Sequence, residues 1–258
     1  MNPLTDKTLR LVKRSLPIVT ALRWVNFGVR KLARFSHHLQ FLVEWAVDNP
    51  EYFDHNIDMY SFWYKTRESF PVERGVYSSF AMTANSQVLD LCCGDGFNSY
   101  HFYSLRAMHV IAIDFDREAI RWAQRNYGAP NLVFRLGDIR TDIPGGPFDN
   151  IVWDAAVEHF TETEITSIMS RIKEVLTPTG TLSGYTIIEP QNGGKHLHQH
   201  EYEFHSKEDL VRFLVPHFKK VHVFETNFPS RTNLYFYATD GTLPFQQVPN
   251  INVYSNLD

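Results

Sequence analysis

Cysteine is nearly absent from this 258-residue sequence, in which the only two, Cys92 and Cys93, are neighbours. Neighbouring cysteines rarely bridge, so the chain has no disulfide framework of the kind that stabilises small secreted domains. We therefore expect a reducing, cytoplasmic environment. A zinc site is also disfavoured, because structural zinc ligands usually include spaced cysteine pairs and no Cys-x-x-Cys spacing occurs.

Long apolar runs are missing as well. The apolar stretch at 16–22 contains Pro17 and is followed directly by Arg23. A secretory signal needs a cleaner apolar region with a small-residue cleavage site, and a membrane-spanning helix needs about 20 apolar residues. The sequence predicts neither, which agrees with the expected cytoplasmic location.

The charges are unevenly placed along a chain whose net charge is only −4. Residues 1–43 contain eight Lys or Arg and one acid, Asp6, which leaves 17 basic and 28 acidic residues in the remainder. An acidic main part repels phosphate backbones, so nucleic acid is not expected as a partner.

The basic N-terminal part has the period of an amphipathic helix. Four basic residues fall off its apolar stripe: Arg23, Arg30, Lys31 and Arg34. Three interpretations stay open: a helix packed on its own domain with a solvated basic face, a surface that docks to an anionic membrane or substrate, or a dimer contact. The stripe, with steps mostly of three and four, predicts one long or two shorter helices and consists of Ile18, Leu22, Val25, Val29, Leu32, Leu39, Val43 and Ala46.

Residues 51–80 are crowded with aromatic side chains and show no clean period. They could form core between the extension and the main domain, or the wall of a substrate pocket. The aromatic residues are Tyr52, Phe53, Tyr60, Phe62, Trp63, Tyr64, Phe70, Tyr77 and Phe80.

From residue 88 onward, apolar strand patterns alternate with helical ones, and the last two strands are joined by a connection too short for a crossover helix. This predicts an α/β fold with a mostly parallel, doubly wound sheet and an antiparallel final strand pair, plus an N-terminal helical extension. We place the extension at 1–80, the main domain at 81–241 and a C-terminal tail at 242–258. Strands are expected at 88–91, 109–113, 132–136, 150–153, 181–188, 220–225 and 233–239, and helices at 98–105, 117–127, 162–176 and 207–214.

The turn after the first strand should hold the ligand, because open parallel sheets bind ligands at the carboxyl ends of their strands. A dinucleotide fingerprint needs three glycines, and this turn has only Gly94 and Gly96. Asp95 would stand where a pyrophosphate should lie, and like charges there repel. The turn therefore disfavours a nicotinamide cofactor and favours a cationic, phosphate-free ligand.

The stretch from Asp90 to Gly96, DLCCGDG, resembles the first motif of class I S-adenosylmethionine-dependent methyltransferases. Three further segments agree in order: HVIAIDFD, FRLGDIR and FDNIVWDAAVEHF. Asp114 lies 20 residues past Gly94, near the spacing of a ribose-binding carboxylate. The resemblance spans about 80–240. It implies S-adenosyl-L-methionine as cofactor, bound by Asp90, Cys93, Gly94, Gly96, Asp114, Phe115, Asp138, Ile139 and Asp154.

Structural roles are the alternative explanation for several of these residues. Asp90, Asp114 and Asp138 could each stabilise a turn, and Cys93 could be buried beside one. Cys92 departs from the family pattern, where glycine is frequent, and we assign it no contact.

Methyl transfer needs a base only when the acceptor arrives protonated. His159 is the first candidate, because its loop should face the methyl group, and His200 is the second. The segment KHLHQHEYEFHS adds His196, His198 and His205, with Glu201 and Glu203 nearby. Substrate contact, a metal site and plain surface histidines are all open there, and we assign no residue as a metal ligand.

The sequence therefore predicts methyl transfer to a small-molecule acceptor with a hydroxyl, sugar or amine group. A non-catalytic module that binds S-adenosylmethionine and docks its basic helix to a membrane surface or partner is one alternative. Transfer of an aminopropyl group on the same fold is the other.

Overall fold

Seven strands form one mixed sheet in the computed structural model, which describes residues 13, 15–45, 55, 59, 63, 66–188 and 199–244. Short runs rich in Val, Ile, Leu and Phe produce these strands, and the central ones are buried along almost their whole length, as a sheet covered on both faces requires. The strands are β1 Gln87–Leu91, β2 His109–Asp114, β3 Leu132–Leu136, β4 Phe148–Asp154, β5 Leu176–Ile188, β6 Lys220–Asn227 and β7 Thr232–Thr239.

The strand order is β3-β2-β1-β4-β5-β7-β6. Strands β1 to β5 pair in parallel, whereas β7 pairs antiparallel with both β5 and β6. The predicted fold class is thus confirmed. The order reverses between β1 and β4, so the carboxyl ends of these two strands border the crevice where such sheets bind ligands.

Helices cover both faces of the sheet and connect its strands. Alternation along β1 sends Leu89 and Leu91 to one core cluster and Val88 to another. The α-helices are α1 Leu16–Trp45, α2 Phe70–Ser79, α3 Arg117–Asn126, α4 Glu162–Val175 and α5 Lys207–Leu214, with a π-helix Ser99–Tyr103 and a 3₁₀-helix Val157–His159.

Two expected elements differ most from the structure. The helix expected at 98–105 contains the π-helix Ser99–Tyr103, and β5 begins at Leu176 rather than at residue 181. Leu176 pairs with Phe148, the ladder then shifts, and pairing resumes at Thr181. Pro178 lies in the interruption, where its missing N–H costs no ladder hydrogen bond.

Side-chain caps begin three of the helices. Asp116 accepts the backbone N–H groups of Glu118 and Ala119 at the start of α3. Capping boxes, which are reciprocal hydrogen bonds across the first turn, begin α4 with Thr161 and α5 with Ser206.

Replacing Ser206 by alanine should lower the free energy of unfolding by about 1 kcal/mol, because the Asp209 N–H would lose its acceptor. Ser206→Gly should cost only a few tenths of a kcal/mol. Urea unfolding of the two variants measures the difference, and equal losses for both would show that the cap does not stabilise α5.

The described part of the aromatic region packs as core. Tyr77 on α2 makes edge contacts with Phe224 and Tyr235, and Phe70 does so with Phe228, so α2 lies against the antiparallel end of the sheet. Trp63 is exposed. The remaining aromatic residues between 51 and 65, namely Tyr52, Phe53, Tyr60, Phe62 and Tyr64, lie outside the described residues.

Helix α1 is a single helix of 30 residues, although Ala46, which completed the predicted stripe, lies outside the described residues. Twelve of its large apolar side chains are between 47% and 73% exposed. The apolar stripe of α1 therefore does not pack on the described part of the domain. Among the described helices, none is both long and apolar enough to cross a bilayer.

Candidate functional site

A cavity of about 690 Å³ opens at the carboxyl ends of β1 to β4. This is the edge of the sheet at which the sequence placed the ligand. Gly96 and His200 are not among the residues that line it. Nine predicted site residues do line it: Asp90, Cys93, Gly94, Asp114, Phe115, Asp138, Ile139, Asp154 and His159.

The turn after β1 has a left-handed backbone at three positions: Cys92 (φ 58°), Gly94 (φ 54°) and Gly96 (φ 79°). Glycine adopts this region without strain, whereas Cys92 pays a conformational cost. A Cβ added to Gly96 would lie 2.5 Å from the Phe134 ring. Gly96 therefore serves the close approach of the turn to its neighbours, and Gly94 is the glycine at the cavity.

Asp114, at the end of β2, holds this turn in place. One carboxylate oxygen accepts the Gly94 N–H at 2.8 Å, and the other accepts the Asp116 N–H at 2.8 Å. The side chain lines the cavity while it orders the glycine turn. A role in the turn and a role towards a ligand are therefore compatible for this residue.

Two buried carboxyl groups stand at the switch point of the sheet. Burial raises the pKa of Asp90 to about 8, against the opposing hydrogen bond from the Ser99 hydroxyl. Burial also raises the pKa of Asp154, to about 6, and the nearby Arg74 guanidinium limits that rise. A cation bound beside them would lower the pKa of both carboxyl groups.

Asp95 does not face the cavity, which corrects the argument that it would oppose a pyrophosphate. It is 0% exposed, and its carboxylate accepts the ring Nδ1–H of His55 at 2.8 Å. The backbone N–H groups of His55 and Phe97 each add a bond of 3.0 Å. The acid therefore fastens His55, 40 residues upstream, to the motif turn.

Among the cavity residues that sequence reasoning missed are His55, Arg74 and Asn98. Nη2 of Arg74 donates to Nε2 of His55 at 2.6 Å, and Nε of Arg74 lies 3.8 Å from Oδ2 of Asp154. Because Arg74 can only donate, the His55 proton resides on Nδ1 and goes to Asp95. The resulting chain Asp95–His55–Arg74–Asp154 joins the N-terminal part to the sheet, and no local motif signals it.

The carboxylate of Asp138 is paired with a neighbouring guanidinium group. Nε of Arg140 donates to both of its carboxylate oxygens at 3.0 Å, and the Arg140 backbone N–H adds a bond at 2.9 Å. These bonds lower the pKa of Asp138, so the group is an ionised acceptor at neutral pH. Ile139, next to it, is buried against the cavity.

The two candidate bases are neighbours in space. Their rings make a T-shaped contact with centroids 5.1 Å apart, but His159 lines the cavity and His200 is 1% exposed. Nδ1 of His159 donates to the Gln199 carbonyl at 3.3 Å. His205 is exposed, whereas His196 and His198 lie outside the described residues.

Comparisons with known proteins agree with this geometry. Residues 88–180 match the family described as a methyltransferase domain. A curated relative, the uncharacterized methyltransferase sll0829 of Synechocystis sp. (strain ATCC 27184 / PCC 6803 / Kazusa), is 28% identical over 116 residues, which are 44% of this chain and 53% of that protein. The chain thus spans about half the length of this relative.

Several solved structures share the fold. The complex of DhpI with SAH has a TM-score of 0.57 at 19% identity and covers 73% of this chain and 92% of its own. A methyltransferase structure from Bacillus halodurans C-125 has a TM-score of 0.54 at 15% identity, with coverages of 65% and 97%. Residues 88–180 are thus similar to a methyltransferase domain, and the fold is that of class I S-adenosylmethionine-dependent methyltransferases.

S-adenosyl-L-methionine is the cofactor that the sequence motifs imply, and the cavity fits its chemistry. Asp154 and Asn98 each have a buried Oδ1 atom with no hydrogen-bond partner among the described residues, although buried polar atoms are normally paired. The ammonium of the cofactor's methionine part can donate to such acceptors. The acidic wall at Asp90 and Asp154 suits its positive charges.

Proposed function

We propose that the methyltransferase domain transfers a methyl group from S-adenosylmethionine to a small molecule with a hydroxyl, sugar or amine group. One observation carries the proposal: the cavity at the switch point of the sheet combines buried acids with two unsatisfied oxygen acceptors. Its volume lies in the range of small-molecule sites. Bound S-adenosylmethionine would supply an electrophilic methyl group on a sulfonium sulfur.

In this proposal, three groups of residues bind different parts of S-adenosylmethionine. Asp154 and Asn98 accept hydrogen bonds from the ammonium, and Asp90 adds negative charge near it. Asp114 binds the ribose hydroxyls while Gly94 lets the backbone approach closely. Asp138, Ile139 and the half-exposed ring of Phe115 enclose the adenine.

His159 stands at the acceptor end. Its Nδ1 proton points to the Gln199 carbonyl, so in the neutral ring the lone pair is on Nε2. That nitrogen can take the proton of a hydroxyl or ammonium acceptor and orient the nucleophile. His200 supports the His159 ring from the buried side.

Binding of S-adenosylmethionine near neutral pH should release protons. With folded pKa values of about 8 and about 6, Asp90 is mostly and Asp154 partly protonated, and a bound cation lowers both values. Calorimetry in buffers of different ionisation enthalpy measures the released protons. Asp90→Asn should release fewer, and S-adenosylhomocysteine, which lacks the sulfonium, should also release fewer than the donor.

The test of the function is a screen of cell extract with donor labelled in its methyl group. Transfer of label to a small molecule, with formation of S-adenosylhomocysteine, supports the proposal, and Asp154→Ala should abolish most of it. Label in RNA or protein would contradict the assigned acceptor class. Donor binding without any transfer would favour the non-catalytic module, and a product mass increased by an aminopropyl group would favour the other alternative.

A further inference from the structure

Glu158, His159 and His200 bring three metal-ligating atoms together on the acceptor side of the cavity. One ligand atom from each residue lies within 4.8 Å of the other two. Two of the residues follow β4 directly, whereas His200 comes from the segment after β5. Backbone bonds from the Glu201 and Tyr202 N–H groups to the Glu158 carbonyl, at 2.9 and 3.1 Å, fasten the two segments.

Two of the three side chains, His159 and Glu158, are already oriented as metal ligands usually are. The Gln199 carbonyl binds Nδ1 of His159 and leaves Nε2 as the donor atom. The Thr186 hydroxyl donates to Oε2 of Glu158 at 3.0 Å. Such outer hydrogen bonds set the tautomer and the direction of metal ligands. Donor atoms bound at about 2.1 Å from one ion are at most about 4.2 Å apart, so binding needs only a side-chain adjustment.

We propose that these three residues bind a divalent transition-metal ion such as Zn²⁺, Fe²⁺ or Co²⁺, for which imidazole and carboxylate are suitable ligands. His159 lines the cavity, so an ion held there would border the space that the acceptor would occupy. This use of the ion rests on the proposed function. A metal ion at this place favours an acceptor with a hydroxyl group. The cation raises the acidity of a bound hydroxyl, whose proton then leaves to water. With the metal bound, Nε2 of His159 is a ligand and does not itself take that proton.

The experiment is a Co²⁺ titration of the chelator-treated full chain, free of any affinity tag, followed by visible absorption. We expect tight binding of one ion, and His200→Ala and His159→Gln should each weaken it at least about tenfold. His205→Ala is the matched control, because His205 is an exposed histidine of the same segment that lies outside the cluster. The Co²⁺ affinity of this variant should equal that of the wild type.

Equal Co²⁺ affinities for wild type and both cluster variants would overturn the metal site. Retained binding of S-adenosylhomocysteine shows that each variant is folded. The titration does not depend on methyl transfer, so a metal-binding chain without activity contradicts only the proposed function. Full activity in the presence of chelator contradicts only the role of the metal.

Helix α1 carries a second, independent inference. Its one acid is Glu44 near the C-terminal end, and Arg23, Arg30 and Arg34 lie along the side opposite the apolar stripe. The stripe itself is exposed, as is Trp24 at its margin. An apolar face with aromatic residues opposite a cationic face is the pattern of helices that lie in the surface of a bilayer.

We infer that α1 binds the surface of an anionic membrane. Charge complementarity favours a membrane, because the exposed apolar face can insert among lipid tails while the cationic residues pair with acidic headgroups. A second copy of the helix would cover the apolar face but would leave the cationic side without a partner of opposite charge.

Vesicle flotation tests this inference with the full chain. We expect binding to vesicles that contain phosphatidylserine, and little binding to phosphatidylcholine alone or at high salt. The triple variant R23E/R30E/R34E should bind about a hundredfold more weakly or worse. The control R106E/R125E/K207E has the same charge change on exposed residues elsewhere and should bind far better than the helix variant.

Equal flotation of the two triple variants would overturn the membrane inference. So would a dimer in solution that dissociates when Leu22 and Val29 are replaced by glutamate, if vesicle binding is absent in the wild type.

Discussion

Asp114→Ala is expected to weaken binding of S-adenosylhomocysteine about 5- to 150-fold, or about 1–3 kcal/mol. The change removes the proposed acceptor for the ribose hydroxyls. It also removes the carboxylate that accepts the Gly94 and Asp116 N–H groups, so the glycine turn loses its anchor to β2. Isothermal calorimetry on the folded variant measures the loss.

Two variants separate these contributions. Asp114→Asn keeps one oxygen acceptor and should lose less affinity than the alanine variant. Asp116→Ala removes the cap of α3, whose side chain accepts the N–H groups of Glu118 and Ala119 but does not line the cavity. It should cost about 1 kcal/mol of stability with little change in affinity. Equal affinity losses at 114 and 116 would contradict a direct contact between Asp114 and the ligand.

Arg74→Met is expected to lower the free energy of unfolding by about 3 kcal/mol or more. The change removes the buried cation that limits the pKa of Asp154 and the donor to Nε2 of His55. Asp154 would remain buried without its cation. For a chain of this size the loss corresponds to a melting temperature lower by about 6–12 °C.

The pH dependence of this loss has a definite sign. Asp154 has a folded pKa of about 6, above its ordinary value, and loss of Arg74 raises it further. At low pH the carboxyl is neutral and needs no cation, so the destabilisation by Arg74→Met should grow as the pH rises above about 6. Thermal unfolding across this range measures the trend.

An exposed pair is the control for Arg74. Arg135 and Asp142 form an ion pair at 2.8 Å with both side chains about half exposed, so Arg135→Met should cost less than about 1 kcal/mol. The double variant R74M/D154N removes the buried charge together with its partner and should recover part of the stability. If Arg74→Met lowers the free energy of unfolding no more than Arg135→Met does, the buried interactions of Arg74 with His55 and Asp154 do not stabilise the fold.

The order of the strands, and of the helices from α3 onward, was readable from the sequence, because each strand of the sheet is an apolar run with a turn or helix signal on either side. The antiparallel end of the sheet followed from one short connection, between β6 and β7. The acids that end β1, β2 and β4 were also readable, since parallel strands bring their carboxyl ends to one edge. Two boundaries were not: the register shift before Thr181 and the π-helix at Ser99–Tyr103 depend on contacts between distant segments.

The sequence by itself determined the fold class, the motif turn and the acids of the cavity wall, since local patterns of apolar residues, glycines and acids decide these. Only the tertiary structure showed that Asp95 turns away to His55, that Arg74 stands beside Asp154, and that His159 and His200 meet. The tertiary structure also showed that the apolar side of α1 is exposed. These features join residues up to 80 positions apart, and the energy of a buried charge depends on neighbours that only folding assembles.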